Sequence, residues 1–230
     1  MPFGRRRARW IGAVCVSLAA VSAPVAGCSK DGSDTKQAAS SPSSVKPTIP
    51  TTGANGRQPT LGDYIKQNGI TEAQVEPGEP GIPVVSLPMG PGWKDLGSAK
   101  PAYAFAAIVN TDPAFKADPP SIVGVMSKLT GPVDPAQVLA LAPNEVRNLP
   151  SFNGPEPKPG KLSNFDSTQI GGTYVRDGKP RLIAQKTVVI PSGDAFYVLQ
   201  LNADGLKEQA EALALATEAI DNQATIKVGP

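Results

Sequence analysis

The sequence predicts an α+β fold in which a curved antiparallel sheet lies between helices. Arg176-Asp177-Gly178-Lys179 sets Asp-Gly, the favoured two-residue hairpin turn, between two strand-like runs. Pro191-Ser192-Gly193-Asp194 turns the chain once more, which makes a three-strand meander. The helical patterns stand apart from these strands, so the consecutive βαβ units that build parallel sheets are absent.

The elements follow in order. Thr60 caps a short helix, with Asp63 in the role of the capping-box acid; Leu61, Tyr64 and Ile65 share one face and Gly69 ends it. Ile82 to Pro88 reads as a strand bounded by prolines, suited to a sheet edge because proline cannot donate to a ladder. Pro91-Gly92-Trp93 makes a turn, and Trp93 reads more readily as a core anchor than as a ligand stacker. Strands are expected at Ala102 to Asn110 and Ser121 to Leu129, apolar on both faces and so covered on both sides.

Asp134-Pro135 gives cap then Pro at N1, opening a helix with Val138, Leu139, Leu141 and Val146 as its apolar residues and Pro143 as a point of interruption. Pro150 to Gly160 reads as a surface loop. The meander then runs through Gln169–Val175, Arg181–Ile190 and Ala195–Leu201. A final helix over Leu206 to Asn222 places Leu206, Ala210, Leu213, Ala216 or Thr217, and Ile220 at helical spacing.

Ahead of the domain, residues 1–27 read as a lipoprotein signal peptide. Arg5, Arg6, Arg7 and Arg9 form a basic start without acids, and Trp10 to Val21 is an apolar run shorter than the roughly 20 residues of a membrane span. Val25-Ala26-Gly27-Cys28 then resembles the bacterial lipobox. An ordinary secretory signal and an uncut anchor are the alternatives, and the position of Cys28 at the boundary argues against both. Cys28 is the expected lipid-attachment residue. Cys15 leaves with the signal, so the mature chain has no second cysteine for an internal disulfide.

Residues 28–58, too poor in large apolar residues to fold, read as a lipidated Cys28 followed by a disordered Ser/Pro-rich tether, and residues 59–230 as a single globular domain. The whole chain carries 22 Lys and Arg against 20 Asp and Glu; loss of the four signal arginines leaves 18 against 20, a net charge of −2. The mature domain therefore lacks the basic excess expected of a nucleic-acid binder.

Histidine is absent from the chain, which excludes His-activated nucleophiles and His metal sites. No Gly-rich phosphate motif occurs, and Gly171-Gly172 falls mid-strand, where it reads as a bulge or a close packing contact. No catalytic residue, metal or cofactor is expected, and binding is the better class. Registering the hairpins puts Ile170, Tyr174, Arg181, Ile183, Gln185, Thr187, Val189, Phe196, Val198, Gln200 and Asn202 on one mixed face. The opposite face, with Val175, Leu182, Ala184, Val188, Ile190, Tyr197, Leu199 and Leu201 interrupted by Lys186, suits burial under the last helix. The mixed face is either a half-solvated sheet or an amphipathic groove with apolar walls and a few orienting polar groups. Its candidate ligand residues are Tyr174, Arg181, Ile183, Gln185, Phe196 and Gln200. Phe152, in the Pro-rich loop, either covers a ligand, touches a partner or plugs the domain's own core.

The order of lipobox, Ser/Pro tether, Pro91-Gly92-Trp93, Gly172-Thr173-Tyr174 and Gln185-Lys186-Thr187-Val188-Val189 before a last helix resembles the mycobacterial LpqN/LpqT lipoproteins. The resemblance implies a Mog1/PsbP-like α/β/α sandwich. It further implies a non-enzymatic accessory or carrier role in the cell envelope, with a trehalose mycolate glycolipid as ligand and an MmpL-type lipid exporter as partner. The expected location is the outer face of the cytoplasmic membrane, facing the periplasm and cell wall, with shedding as a further route. A protein-interaction module that docks on a transporter or host protein without a lipid ligand is the alternative.

Overall fold

Thr60 begins the domain by closing a reciprocal cap. Its backbone N–H donates to Asp63 Oδ2 at 2.8 Å and the Asp63 N–H donates back to Thr60 Oγ1 at 3.3 Å, a device worth about 1 kcal/mol. The helix it starts, α1 (Leu61–Gln67), buries Leu61, Tyr64 and Ile65 as the spacing predicts. The computed structural model describes Thr48, Pro50 and residues 57–229. The segment read as a signal peptide, the expected attachment residue Cys28 and most of the expected tether lie outside the described residues. Within the segment expected to be disordered, two points are instead fastened to the domain: Asn68 exchanges two hydrogen bonds with the Thr48 backbone, and Asn148 exchanges two with that of Gln58.

After α1 come β1 (Thr71–Gln74), β2 (Val84–Ser86), β3 (Trp93–Asp95), β4 (Ala106–Asn110) and β5 (Ser121–Thr130). Helices α2 (Pro135–Leu141) and α3 (Pro143–Arg147) follow. The chain returns through β6 (Lys158–Leu162), β7 (Phe165–Arg176), β8 (Lys179–Ser192) and β9 (Ala195–Leu206). It ends with α4 (Ala210–Gln223) and β10 (Thr225–Lys227). The main sheet runs β3-β4-β5-β9-β8-β7-β6, with β1 also on β5, and every pairing is antiparallel.

Two apolar clusters show that helices cover both faces. Beneath α4, Leu213, Ala216 and Ile220 pack with Ile122, Met126, Val188, Ile190, Leu199 and Leu201. On the other side, Leu61, Tyr64 and Ile65 of α1 and Val138 and Leu141 of α2 pack with Leu129, Val189 and Val198. The Tyr64 hydroxyl also accepts the Asp134 N–H at 2.9 Å, tying α1 to the cap of α2. Side chains such as Ile122, Met126, Leu129 and Leu199 are fully buried, each worth roughly 1.5–3 kcal/mol. The α/β/α sandwich is thereby realised.

Several expectations need correction. The strand near Val84 does not edge the main sheet; it pairs with β10 as a separate two-stranded sheet. The last three residues of the Pro-rich loop, Lys158 to Gly160, belong to a strand: β6 holds Pro159 at the sheet edge, where a missing N–H is tolerated. The strand expected over Ala102 to Asn110 begins at Ala106, and Val123 and Val125 of β5, expected to be covered, are only half-buried. Leu206 ends β9 instead of opening the last helix, and a 3-10 turn over Lys207–Gln209 intervenes. Buried Gln209 explains this: it accepts the Leu206 N–H at 2.7 Å and donates to the Asp118 carbonyl at 2.6 Å. Pro143 separates two helices as expected, and Trp93 is half-buried against the core.

Candidate functional site

The register of the meander decides which side chains meet. Tyr174 faces Arg181, Ile183 faces Asp204, Gln185 faces Asn202 and Thr187 faces Gln200 across adjacent strands. Ser121, Val123 and Val125 extend the same face onto β5 opposite Asp204, Asn202 and Gln200. At one end α1 and α2 bury this face; beyond them it is open, forming a groove of about 490 Å³ walled by Glu145, Val146 and Leu149 and by Tyr103, Asp118 and Pro119.

Five of the seven candidate ligand residues line this groove: Tyr174, Arg181, Ile183, Gln185 and Gln200. Phe196 does not, because it packs against the α1–α2 cluster. Phe152 does not either. It is half-buried with its ring over Gly172, where an added Cβ would stand 2.4 Å from the Asn153 carbonyl and 2.9 Å from the ring. Gly171-Gly172 is thus a close backbone approach, the packing contact that the sequence suggests.

Arg181 forms the floor of the groove and is itself buried. Its guanidinium spans Asp118 at 2.6 and 3.1 Å and Asp204 at 2.9 and 2.5 Å. Tyr174 donates its hydroxyl to the other Asp204 oxygen at 2.5 Å, and Arg176 reaches Asp204 at 3.0 Å. Burial opposes the charge on Arg181, but the two carboxylates prevail and hold its pKa above the ordinary value. Asp118 is held below its usual range by the Arg181 hydrogen bonds. Burial, then the bond to Asp204, pushes the Tyr174 phenol up to about 12. Four of the five guanidinium donor directions are spent inside this cluster, so it orders the floor and leaves little positive charge for a ligand.

The middle of the groove is lined by amides and one carboxylate. Gln200 donates to Glu145 at 2.9 Å and Gln185 donates to Asn202 at 3.0 Å. Burial raises the Glu145 pKa, opposed by hydrogen bonds from Gln200 and Gln185. Apolar walls come from Val123, Val125, Val146, Leu149 and Ile183. Asp118, Glu145 and Asp204 are absent from the residues singled out by sequence. Asp204 continues the i, i+2 series of Gln200 and Asn202, a signal that was available; Asp118 and Glu145 come from a loop and a helix and gave none.

The opposite face holds a narrower cleft of about 330 Å³ between α4 and the sheet, lined by Ile122, Ala184, Leu201, Ala203, Thr217 and Ile220, with the Lys186–Asp221 ion pair among its residues. Among the described residues, no group of three or more His, Cys, Asp or Glu is arranged to hold a metal ion.

A family model described as probable lipoprotein LpqN matches residues 57–227, three quarters of the chain. The chain belongs to the LpqN family. Lipoprotein LpqN of Mycobacterium tuberculosis is 47% identical over 174 residues, covering 75% of this chain and 76% of that protein. A crystal structure of LpqN, described as involved in cell envelope biogenesis of Mycobacterium tuberculosis, overlays with a TM-score of 0.70 at 46% identity, covering 73% of this chain and 97% of the other. The Ran-binding protein Mog1p of Saccharomyces cerevisiae overlays with a TM-score of 0.40 at 12% identity. The LpqN sandwich fold is therefore shared by the solved relative and by this chain.

Proposed function

We propose that this LpqN-family protein is an exported envelope lipoprotein, lipidated on Cys28, that binds a glycolipid of the trehalose mycolate class without transforming it and works beside an MmpL-type lipid exporter. The observation that carries this reading is the composition of the groove: planar amides of Gln185, Gln200 and Asn202, the Glu145 carboxylate and two tyrosines lie beside an aliphatic wall. Amides and carboxylates suit sugar hydroxyls, which both donate and accept hydrogen bonds, and the wall suits the start of an alkyl chain. Two or more acyl chains at Cys28 would anchor the protein stably where one would not.

Native mass spectrometry of the full chain after mild extraction tests the ligand. A co-purifying trehalose lipid is the expected result. An apo-protein that also ignores added trehalose mycolate would overturn it.

A further inference from the structure

The charges of the groove are unequally compensated. Asp118 and Asp204 are matched by Arg181 and Arg176, whereas Glu145 accepts only from neutral amides and, among the described residues, forms no ion pair. Glu72 adds a second negative charge to its surroundings, and Arg147, the nearest cation in sequence on α3, is engaged by Glu156 and Asn144. The unbalanced charge where a head group would sit is therefore negative. We propose that the groove selects uncharged polyhydroxylated head groups over anionic ones, and that Glu145 sets this selection.

The inference rests on the glycolipid reading above and narrows it. A carboxylate has about four acceptor sites, and Gln200 and Gln185 use two of those on Glu145, so a sugar hydroxyl can donate to another, a charge-assisted bond. A phosphate or sulfate brought to the same place offers only acceptors and repels the carboxylate. Arg181 does not redress this, because four of its five donors already serve Asp118 and Asp204, and Arg176, the other cation of the lining, is paired with Asp204.

The test uses the full chain in phosphatidylcholine nanodiscs and two probes that share one sugar, trehalose 6-hexanoate and its 6′-phosphate. The parent is expected to bind the neutral probe at least about tenfold more tightly, about 1.4 kcal/mol. E145Q should weaken the neutral probe, strengthen the phosphate and bring the two within about twofold; E145D should keep the preference. On the parent chain, added salt should shrink the ratio as screening grows, a reading that needs no variant to fold. Equal binding of both probes by the parent overturns the inference and leaves the glycolipid reading standing, as does a ratio that neither E145Q nor salt alters. Failure of the parent to bind either probe removes both.

Discussion

Arg181 and Asp204 are joined beneath the groove by two hydrogen bonds to one carboxylate oxygen, from Nε at 2.9 Å and from Nη2 at 2.5 Å. The Arg181 side chain is 4% exposed and that of Asp204 15%, so removing the cation leaves carboxylates with little water to replace it. Arg181→Ala should cost about 3–5 kcal/mol in urea unfolding, the range for breaking a buried pair from one side. A loss below about 1 kcal/mol would mean that the cluster behaves as an exposed ion pair.

Tyr174 makes the same cluster sensitive to alkali. Its phenol ionises near 10 when unfolded and is pushed up to about 12 by burial and by Asp204. Between those values the unfolded chain has released a proton that the folded chain keeps. Stability contributed by this group is therefore full below pH 10, falls as pH rises through that window, and is spent above about 12. Absorbance titration should show a late-ionising tyrosine that vanishes in Tyr174→Phe; an unchanged curve in that variant would refute the assignment.

Gly172 and Gly154 permit the loop carrying Phe152 to lie on β7. A Cβ on Gly154 would stand 2.3 Å from the Gly171 carbonyl, and one on Gly172 would stand 2.4 Å from that of Asn153. Backbone cannot yield cheaply at either place. Gly172→Ala and Gly154→Ala should each lose about 1–3 kcal/mol, whereas Gly90→Ala, which meets nothing within 4 Å, should melt close to the parent. Equal melting of all three would disprove the close approach.

Val125 lies half-buried on the groove wall, opposite Gln200 in register. Val125→Trp should fill the site from a strand whose pairing is unaltered and lower the affinity for trehalose mycolate at least about tenfold. Retained affinity with an intact fold would place the ligand elsewhere.

Cys28 is proposed as the acylated residue. Cys28→Ala should remain in the aqueous phase of a detergent partition while the parent enters the detergent, since each buried methylene is worth about 0.8 kcal/mol. Identical partitioning of the two would remove the anchor.

Signals carried by a few neighbouring residues were legible in the sequence. Thr60 with Asp63, Asp134 with Pro135, and Asp177 with Gly178, both at positive φ in the hairpin turn, each act within their own segment. Strands that depend on a distant partner were not. Thr71–Gln74 is exposed at every position, and β10 is three residues long with Ile226 alone buried, too short for its alternation to stand out. The β6–β7 turn uses Ser163 and Asn164 at positive φ, a pair less conspicuous than Asn-Gly. The mixed face followed from strand register because a period of two fixes it, but the residues that walled it, Glu145 and Asp118, came from segments whose placement is set by packing.

The two asparagine clasps at the start of the domain also have a mechanical meaning. In each, one side-chain amide grips both the N–H and the carbonyl of a single residue, so the two bonds share a load and part together. A tug arriving through the N-terminal segment meets Thr48 on Asn68 before it meets Gln58 on Asn148. Asn148 caps α3, the helix that carries Glu145. Along the chain, the outer clasp on Asn68 therefore comes before the one on the cap of the helix that carries Glu145.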